Sequence, residues 1–470
     1  MSPLPADRPR PAPAWLPALL IAPLLTLQLY AFHWGVVSTD TLFQWDQALT
    51  GRYDDWHPPA TTWLWRQLMH LVPGAAPILI FDCLLYWAGV WLIADALRRR
   101  GRNRAMAAML AVAALPIPFG QMGAILKDPL LAACCLAALG LAVAAEGVAL
   151  TRRRAACAIA CLLLAFASAT RFNAVFATAP LLILWMPPRW LAGPARTLPA
   201  LAAAAAILAG ANLLIDGVLL RPHRSQPIFS LVNFDLAGIA AHGGTGAYPD
   251  LAPAEERRWV ALCYRPGQFN PNYRPECDTV EEKLAVYSEE EHVGPVTLWL
   301  RAIARSPLAY ARHRLDHLNR NLRFAVGGVP NDAVYLMATA PNPYGLSFHA
   351  NAATRMVSRA AYWMAVSPLR RPATWLAVAL GLLLLAPRLA GGRMVAAAAL
   401  SALGYGGAYA VVSVAPDLRY NLWTMLAAMV ALILAVAGGR RAAIPRAGWL
   451  LPLLPALLAV VVELGALAIG

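Results

Sequence analysis

Apolar residues in this chain do not alternate with polar ones. They run in unbroken blocks, such as "LLILWMPP" (181–188) and "LAAAAAILAGANLLI" (201–215). A run of about 20 apolar residues crosses a bilayer as a helix, and on that measure the pattern predicts about eleven spans. They fall roughly at 15–37, 75–97, 105–121, 129–150, 155–170, 174–188, 198–219, 366–387, 394–414, 421–438 and 447–468. Residues 221–360 break the pattern. They are polar and rich in Pro, Asn, Glu, Arg and Tyr, and the stretch is too long for a simple loop. Within it, "ERRWVALCYRPGQFNPNYRPECDTVEEKL" reads as loop plus helix. "PVTLWLRAIARSPLAYARHRLDHLNRNL" reads as an amphipathic helix lying on the domain or on the membrane surface. The expected fold class is therefore an all-α polytopic membrane protein, with an extracytoplasmic mixed polar domain inserted between helices 7 and 8. Its parts are a transmembrane module over 1–220 with an outer-face loop at 38–74, the polar domain at 221–360, and C-terminal transmembrane helices at 361–470.

Composition supports this. The 470 residues are 59% apolar, against about 45–50% in soluble domains. The net charge is +14, which in a soluble chain would suggest nucleic acid. Here the arginines cluster between apolar blocks, as "RRRGRNR" (98–104), "TRRR" (151–154) and "GGRR". That is the signature of cytoplasmic loops and not of a nucleic-acid footprint. Arg8 with Arg10, Arg98 to Arg104, Arg152 to Arg154, Arg189 with Arg196, Arg388 with Arg393, and Arg440, Arg441 and Arg446 fall on alternate connections. These connections, and the N-terminus, belong on the cytoplasmic side. The remaining ones carry "TDTLFQWDQALTGRYDDWHPPATTWLW" (39–65), "GAILKDP", "TRFN", the polar domain and "VAPDLRYN", all on the outer side. The first span lacks a small-residue cleavage site and reads as retained. No internal repeat supports a transporter built from two related halves.

Of seven cysteines, Cys83, Cys134, Cys135, Cys157 and Cys161 lie in apolar segments and act as small hydrophobes. Cys263 and Cys277 lie in the polar stretch, where an oxidising compartment would let them pair.

Four outer loops carry ionisable groups. Asp40 follows the first span almost at once, placed to take a proton from a hydroxyl nucleophile beside the membrane. Asp54, Asp55 and His57 follow. Pro58-Pro59 ends one helix and starts another, and Trp56, Trp63 and Trp65 suit headgroup level. A polar loop with an aromatic belt has the same composition. In "LKDP", Lys127 is a candidate phosphate partner, while Asp128-Pro129 equally reads as a helix cap with Asp at the N-cap. In "TRFNAV", Arg171 and Asn173 stand where the charge rule disfavours Arg, which therefore wants a phosphate or an acidic partner, or else snorkels. In "APDLRYNLW", Asp417, Arg419 and Tyr420 offer either a site or an internal ion pair. Charges in lipid are costly, so four such loops on one face should share an aqueous cavity. Asp54, Asp55 and His57 could hold a divalent metal, but no spacing is diagnostic and none is required; the cofactor is left unknown. Walker A, G-x-S-x-G and H-E-x-x-H motifs are absent.

These motifs resemble those of the GT-C glycosyltransferases, multispanning enzymes that use polyprenyl-phosphate sugars. The likeness is to the protein O-mannosyltransferase and lipid A aminoarabinose transferase group. There an acidic residue follows the first span, here Asp40. A "G-x-Y-x-x-x-HPP" run follows it, here Gly51 to Pro59. "LKDP", "TRFNAV" and "DLRYN" resemble a Lys-Asp pair, an "R-x-N-A" run and a "D-x-R-Y" loop of bacterial relatives. The likeness covers roughly 15–220 and 366–440. Thr41 departs from it, standing where many relatives place Glu, as does the position of the polar domain.

The resemblance implies an enzyme of the bacterial cytoplasmic (inner) membrane. It would transfer a sugar, with inversion, from an undecaprenyl-phosphate donor to a hydroxyl of an envelope acceptor on the outer face. Asp40 would be the general base. Lys127, Arg171 and Arg419 would hold the lipid phosphate, with Asp128, Asp417 and Asp55 beside them. His57 would orient the loop or touch the phosphate, and Tyr420 would line the sugar site. Membrane lipids are the other expected partners, and nucleic acid is not one. A lipid-linked substrate flippase would need ionisable groups at mid-membrane, for which Asp82, Asp95 and Asp216 are the candidates. A non-catalytic assembly protein would need no essential acid.

Overall fold

The computed structural model describes residues 10–191, 193–244, 246–270, 274–327, 332–364, 367–439 and 447–469. Arg8, Arg440, Arg441 and Arg446 of the basic clusters lie outside them. The chain opens with α1 (Leu16–Phe32), α2 (Thr39–Thr50), α3 (Ala60–Met69), α4 (Ala76–Arg99), α5 (Asn103–Ala113), α6 (Pro116–Gln121) and α7 (Lys127–Ala144). It continues through α8 (Leu150–Ser168), α9 (Val175–Leu182), α10 (Pro194–Asn212), α11 (Ile228–Ala241), α12 (Pro253–Cys263), α13 (Pro275–Glu290), α14 (Pro295–Arg305) and α15 (Pro307–Asn321). It closes with α16 (Ala352–Met364), α17 (Pro372–Leu385), α18 (Gly392–Val412), α19 (Leu422–Gly438) and α20 (Ala447–Ile469).

Every segment expected to span the membrane is helical. Among the described residues, five helices are long and apolar enough to cross one: Ala76–Arg99, Lys127–Ala144, Ala195–Leu220, Gly392–Val412 and Leu418–Gly438. The expected span at 105–121 is broken. Leu115 is extended before Pro116, so α5 stops and α6 starts afresh, as the clash of a proline ring with the preceding residue requires. α4 and α7 cross closely through two glycines. A Cβ on Gly89 would lie 2.8 Å from the backbone of Ala137, and one on Gly140 2.9 Å from the Gly89 carbonyl. Small residues let helix backbones approach in this way.

The alternation of basic and polar connections has a structural counterpart. At one end of the bundle Arg100 pairs with Glu146, and Arg393 donates to the carbonyls of Ile183, Leu184 and Met186. The four polar loops meet at the other end.

The polar stretch carries a core of its own, built on α11 with Val280, Leu284, Leu298 and Ala302. The described residues there are helical, with isolated bridges at Tyr264–Phe269 and Ala338–His349 and no longer strand, against the mixed domain expected. The amphipathic segment at 295–322 is two helices, parted at Ser306 before Pro307. Cys263 and Cys277 form a disulfide. Residues 333–361 leave this unit: Ala333, Val334, Phe348, Val357 and Ala361 are buried in the main core.

Candidate functional site

Asp40 is placed by its neighbours in sequence. Val36 exchanges backbone hydrogen bonds with Gly123 (3.0 Å) and Ile125 (3.1 Å). This lays the end of the first helix against the approach to α7. Ser38 and Thr41 cap α2 reciprocally, each side chain accepting from the other's backbone N–H, and the Thr41 hydroxyl donates to the Ile125 carbonyl at 2.9 Å. The box fixes the first turn of α2 and sets Asp40 beside Lys127. Thr41 is fully buried, so the departure from the Glu of relatives is built into this junction.

α2 ends at Gly51, whose φ of 72° supplies the left-handed C-cap. The loop that follows is anchored from outside. Asp55 accepts from the Ser225 backbone N–H at 2.6 Å, and Asp54 accepts from the Ser225 hydroxyl and, at 2.7 Å, from the Trp56 N–H. His57 then turns back, its Nε2 3.8 Å from Asp40 Oδ1. The Lys127 ammonium donates to His57 Nδ1 at 2.6 Å.

Asp128 was expected to cap α7. The helix instead begins at Lys127, with no side-chain cap, and Asp128 in the first turn pairs with Arg171. Arg171 does not snorkel. Its side chain is only 11% exposed and lies 4.6 Å over the Tyr420 ring. Arg419 stands on the short turn Leu418–Asn421. Its guanidinium donates to Asp40 Oδ2 and to Asp417 Oδ2, both at 2.9 Å, and lies 3.9 Å from Asp128. Arg419 Nη1 makes no hydrogen bond among the described residues. The loop bearing it is clamped by α15: Arg314 donates to the Ser413 carbonyl at 2.7 Å, and the Asn421 amide donates to Asn321 Oδ1 at 2.9 Å.

Burial raises the Asp40 pKa, but the nearby His57 ring and the charges of Arg419 and Lys127 outweigh it and hold the carboxyl well below the usual range. Burial and then the Lys127 charge lower the His57 pKa, against the pull of Asp40. Both effects favour the neutral ring. With Lys127 donating to Nδ1, its proton sits on Nε2, facing Asp40.

Asp40, His57, Lys127, Asp128, Arg171, Asp417, Arg419 and Tyr420 thus converge from four loops. Asp55 does not join them; it ties its loop to Ser225. Beside Asp40, a cleft of about 360 Å³ is lined by Thr39, Phe43, Asp54, Trp56, His57 and Ser225. Trp65, expected at headgroup level, is fully buried with its ring 5.2 Å from that of Trp45. Two residues escaped the sequence reading. Tyr335 lies under Arg419 at 4.7 Å, and Tyr409 stacks on Tyr420 at 5.8 Å. Their only sequence signal is a phenol in an apolar or loop setting. Among the described residues no group of three or more His, Cys, Asp and Glu is disposed to hold a metal.

No protein-family model matches the chain, and no curated protein matches it. Among solved structures it is similar to ArnT from Cupriavidus metallidurans bound to undecaprenyl phosphate, with a TM-score of 0.34 and 15% identity over 90% of this chain and 78% of that one. It is also similar to the archaeal oligosaccharyltransferase AglB from Archaeoglobus fulgidus, in complex with an inhibitory peptide and a dolichol-phosphate. There the TM-score is 0.32 and the identity 14%, over 96% of this chain and 55% of that one. Likeness at this level identifies neither donor nor acceptor.

Proposed function

We propose that this chain transfers a sugar from a polyprenyl-phosphate donor to an acceptor hydroxyl at the outer face of the cytoplasmic membrane, with inversion. The observation that carries the reading is the convergence of Lys127, Arg171 and Arg419 on Asp40 and Asp128, beside an open cleft. Fixed cations at the edge of a bilayer suit a lipid phosphate, and Arg offers it bidentate contacts. The disulfide of the domain on this end fits an oxidising compartment.

In the reaction the acceptor oxygen attacks the anomeric carbon and the bond from that carbon to the phosphate oxygen breaks. The polyprenyl phosphate leaves with the bonding pair, and Asp40 takes the hydroxyl proton. Lys127, Arg171 and Arg419 stabilise the charge growing on the phosphate. Asp417 and Asp128 hold the two guanidinium groups in place, and Tyr420 stacks beside them.

The three cations are balanced by Asp40, Asp128 and Asp417. An arriving phosphate must therefore compete with a carboxylate for an arginine. Arg419 is the group for which they compete, because its Nη2 holds Asp40 while Nη1, buried 3.9 Å from Asp128, makes no hydrogen bond among the described residues. Donor binding draws Arg419 from Asp40 and restores the basicity that the ion pair suppresses. The candidates for a flippase path do not converge. Asp95 pairs with Arg98 and Arg99 at the basic end, and Asp82 is buried between helices.

The test is transfer from purified polyprenyl-phosphate sugars by the protein in nanodiscs. Release of free polyprenyl phosphate that depends on Asp40 supports the reading. Movement of intact donor across the bilayer without its cleavage would refute it.

A further inference from the structure

Asp40 faces two ways. Oδ2 is turned to Arg419, while Oδ1 faces His57, which Lys127 backs at 2.6 Å. Asp40 and His57 border the 360 Å³ cleft, a volume near the lower end of the roughly 300–1,000 Å³ usual for small-ligand sites. None of the seven lining residues is a lysine or arginine. If the phosphate is taken by the cations, this cleft is where the attacking hydroxyl must enter.

Its lining has a definite chemistry. Phe43 stands one turn after Asp40 on the same face of α2, its ring edge-on to His57 at 6.0 Å, and is 42% exposed. Trp56 is 40% exposed, its backbone pinned to Asp54. Each Asp54 oxygen accepts one hydrogen bond, Oδ1 from the Trp56 N–H and Oδ2 from the Ser225 hydroxyl. A carboxylate has about four lone-pair sites, so Asp54 keeps acceptor capacity toward the cleft. Two aromatic faces and two carboxylates at one mouth match a sugar ring, whose C–H face packs on an aromatic and whose hydroxyls donate to carboxylates. They favour a neutral ligand over an anion, because the acidic side chains of the lining, Asp40 and Asp54, are carboxylates and no lysine or arginine lines the cleft to bind an anion directly. A peptide acceptor would gain most from an open strand edge, and the described residues offer only isolated bridges.

We propose that the acceptor is a neutral, hydroxyl-rich glycan, seated on Phe43 and Trp56 with a hydroxyl directed at Asp40. The proposal rests on the sugar-transfer reading of the same site. Three features follow from it. Binding does not need the donor sugar. It is independent of Arg171. It is weakened by removal of either aromatic ring or of the Asp54 charge.

The experiment uses the full chain in nanodiscs containing undecaprenyl phosphate, applied to an array of neutral glycans, phosphorylated and uronic-acid glycans, and Ser/Thr peptides. Neutral glycans are expected to bind, with at least tenfold loss in the Phe43→Ala, Trp56→Ala double variant and retention in Trp56→Tyr. The thermal midpoint of each variant checks that it is folded. Binding confined to anionic glycans or to peptides overturns the proposal. So does no binding, or binding indifferent to both aromatics. Stabilisation of the same discs by undecaprenyl phosphate, and its loss in Arg171→Gln, is read separately. If that lipid does not bind, the sugar-transfer reading fails, whatever the array reports.

Discussion

Asp40 Oδ2 and Arg419 Nη2 lie 2.9 Å apart although 379 residues separate them. The contact ties the first polar loop to the last one, and it holds the proposed base in its least basic state. Asp40→Asn keeps the shape and removes the charge. Transfer is expected to fall by roughly 10²–10⁴-fold, the usual share of a positioned base. Affinity for undecaprenyl phosphate is expected to hold or rise, because Arg419 loses a competitor. Titration of the lipid by thermal shift, alongside product detection by mass spectrometry, checks both. A parallel loss of lipid binding would contradict the competition.

Arg171 is a different kind of cation. It pairs with buried Asp128 and lies over Tyr420, so its flat, forked group is used on both faces. Lys has neither the fork nor the plane. Arg171→Lys should weaken undecaprenyl-phosphate binding about tenfold, roughly 1.4 kcal/mol. Arg171→Ala also leaves buried Asp128 with Arg419, 3.9 Å away, as its remaining cation and should cost about 3 kcal/mol of stability. Lipid titration and denaturant unfolding in detergent separate the two effects. Equal stability of the two variants would show that Asp128 has another partner.

How much of this was legible beforehand divides by the range of the interaction. Apolar blocks announced the helices, because burial in lipid sets their length and composition alone. Alternating charge announced which loops meet, and Asp40, Lys127, Arg171 and Arg419 do meet. What one residue contributes was less visible. Asp54 and Asp55 are neighbours with the same chemistry and both bond Ser225, far along the chain, yet only Asp54 lines the cleft. α11 (Ile228–Ala241) is apolar enough to pass for part of a span, and its place at the centre of a separate core depends on what packs around it. A short apolar run does not distinguish the two. Trp65 likewise has an interfacial residue type and a buried position, fixed by Trp45 on another helix.

Thr41 is fixed by packing. It is fully buried, caps Ser38 and bonds the Ile125 carbonyl. Thr41→Glu forces a charge into that junction and breaks the box, and should cost several kcal/mol. Thr41→Ser keeps the hydroxyl and should cost about 1 kcal/mol for the lost methyl. Unfolding midpoints of the two variants decide it. A stable Thr41→Glu protein would mean that the start of α2 can shift, and that Asp40 is not fixed by it.

Acid should destabilise the polar domain through His317. His317 is buried, donates from Nδ1 to the Pro266 carbonyl at 3.0 Å, and leaves Nε2 without a hydrogen-bond partner among the described residues. Burial first, and then the Arg314 charge, push its pKa down to about 4 from an ordinary 6.5. His313, beside it, is also lowered, by burial ahead of the opposing pull of Asp235. With a folded value below the unfolded one, the neutral ring is the native form. Between pH 6.5 and 4 the unfolded chain binds protons that the folded one does not, so stability rises with pH across that window. It is complete above about 6.5 and is lost on acidification, by roughly 3 kcal/mol from His317 alone. The thermal midpoint should therefore drop between pH 7 and 4.5. His317→Phe, which fills the space without titrating, should flatten the drop and leave the smaller share due to His313. An unchanged pH slope in that variant would place the acid sensitivity elsewhere in the protein.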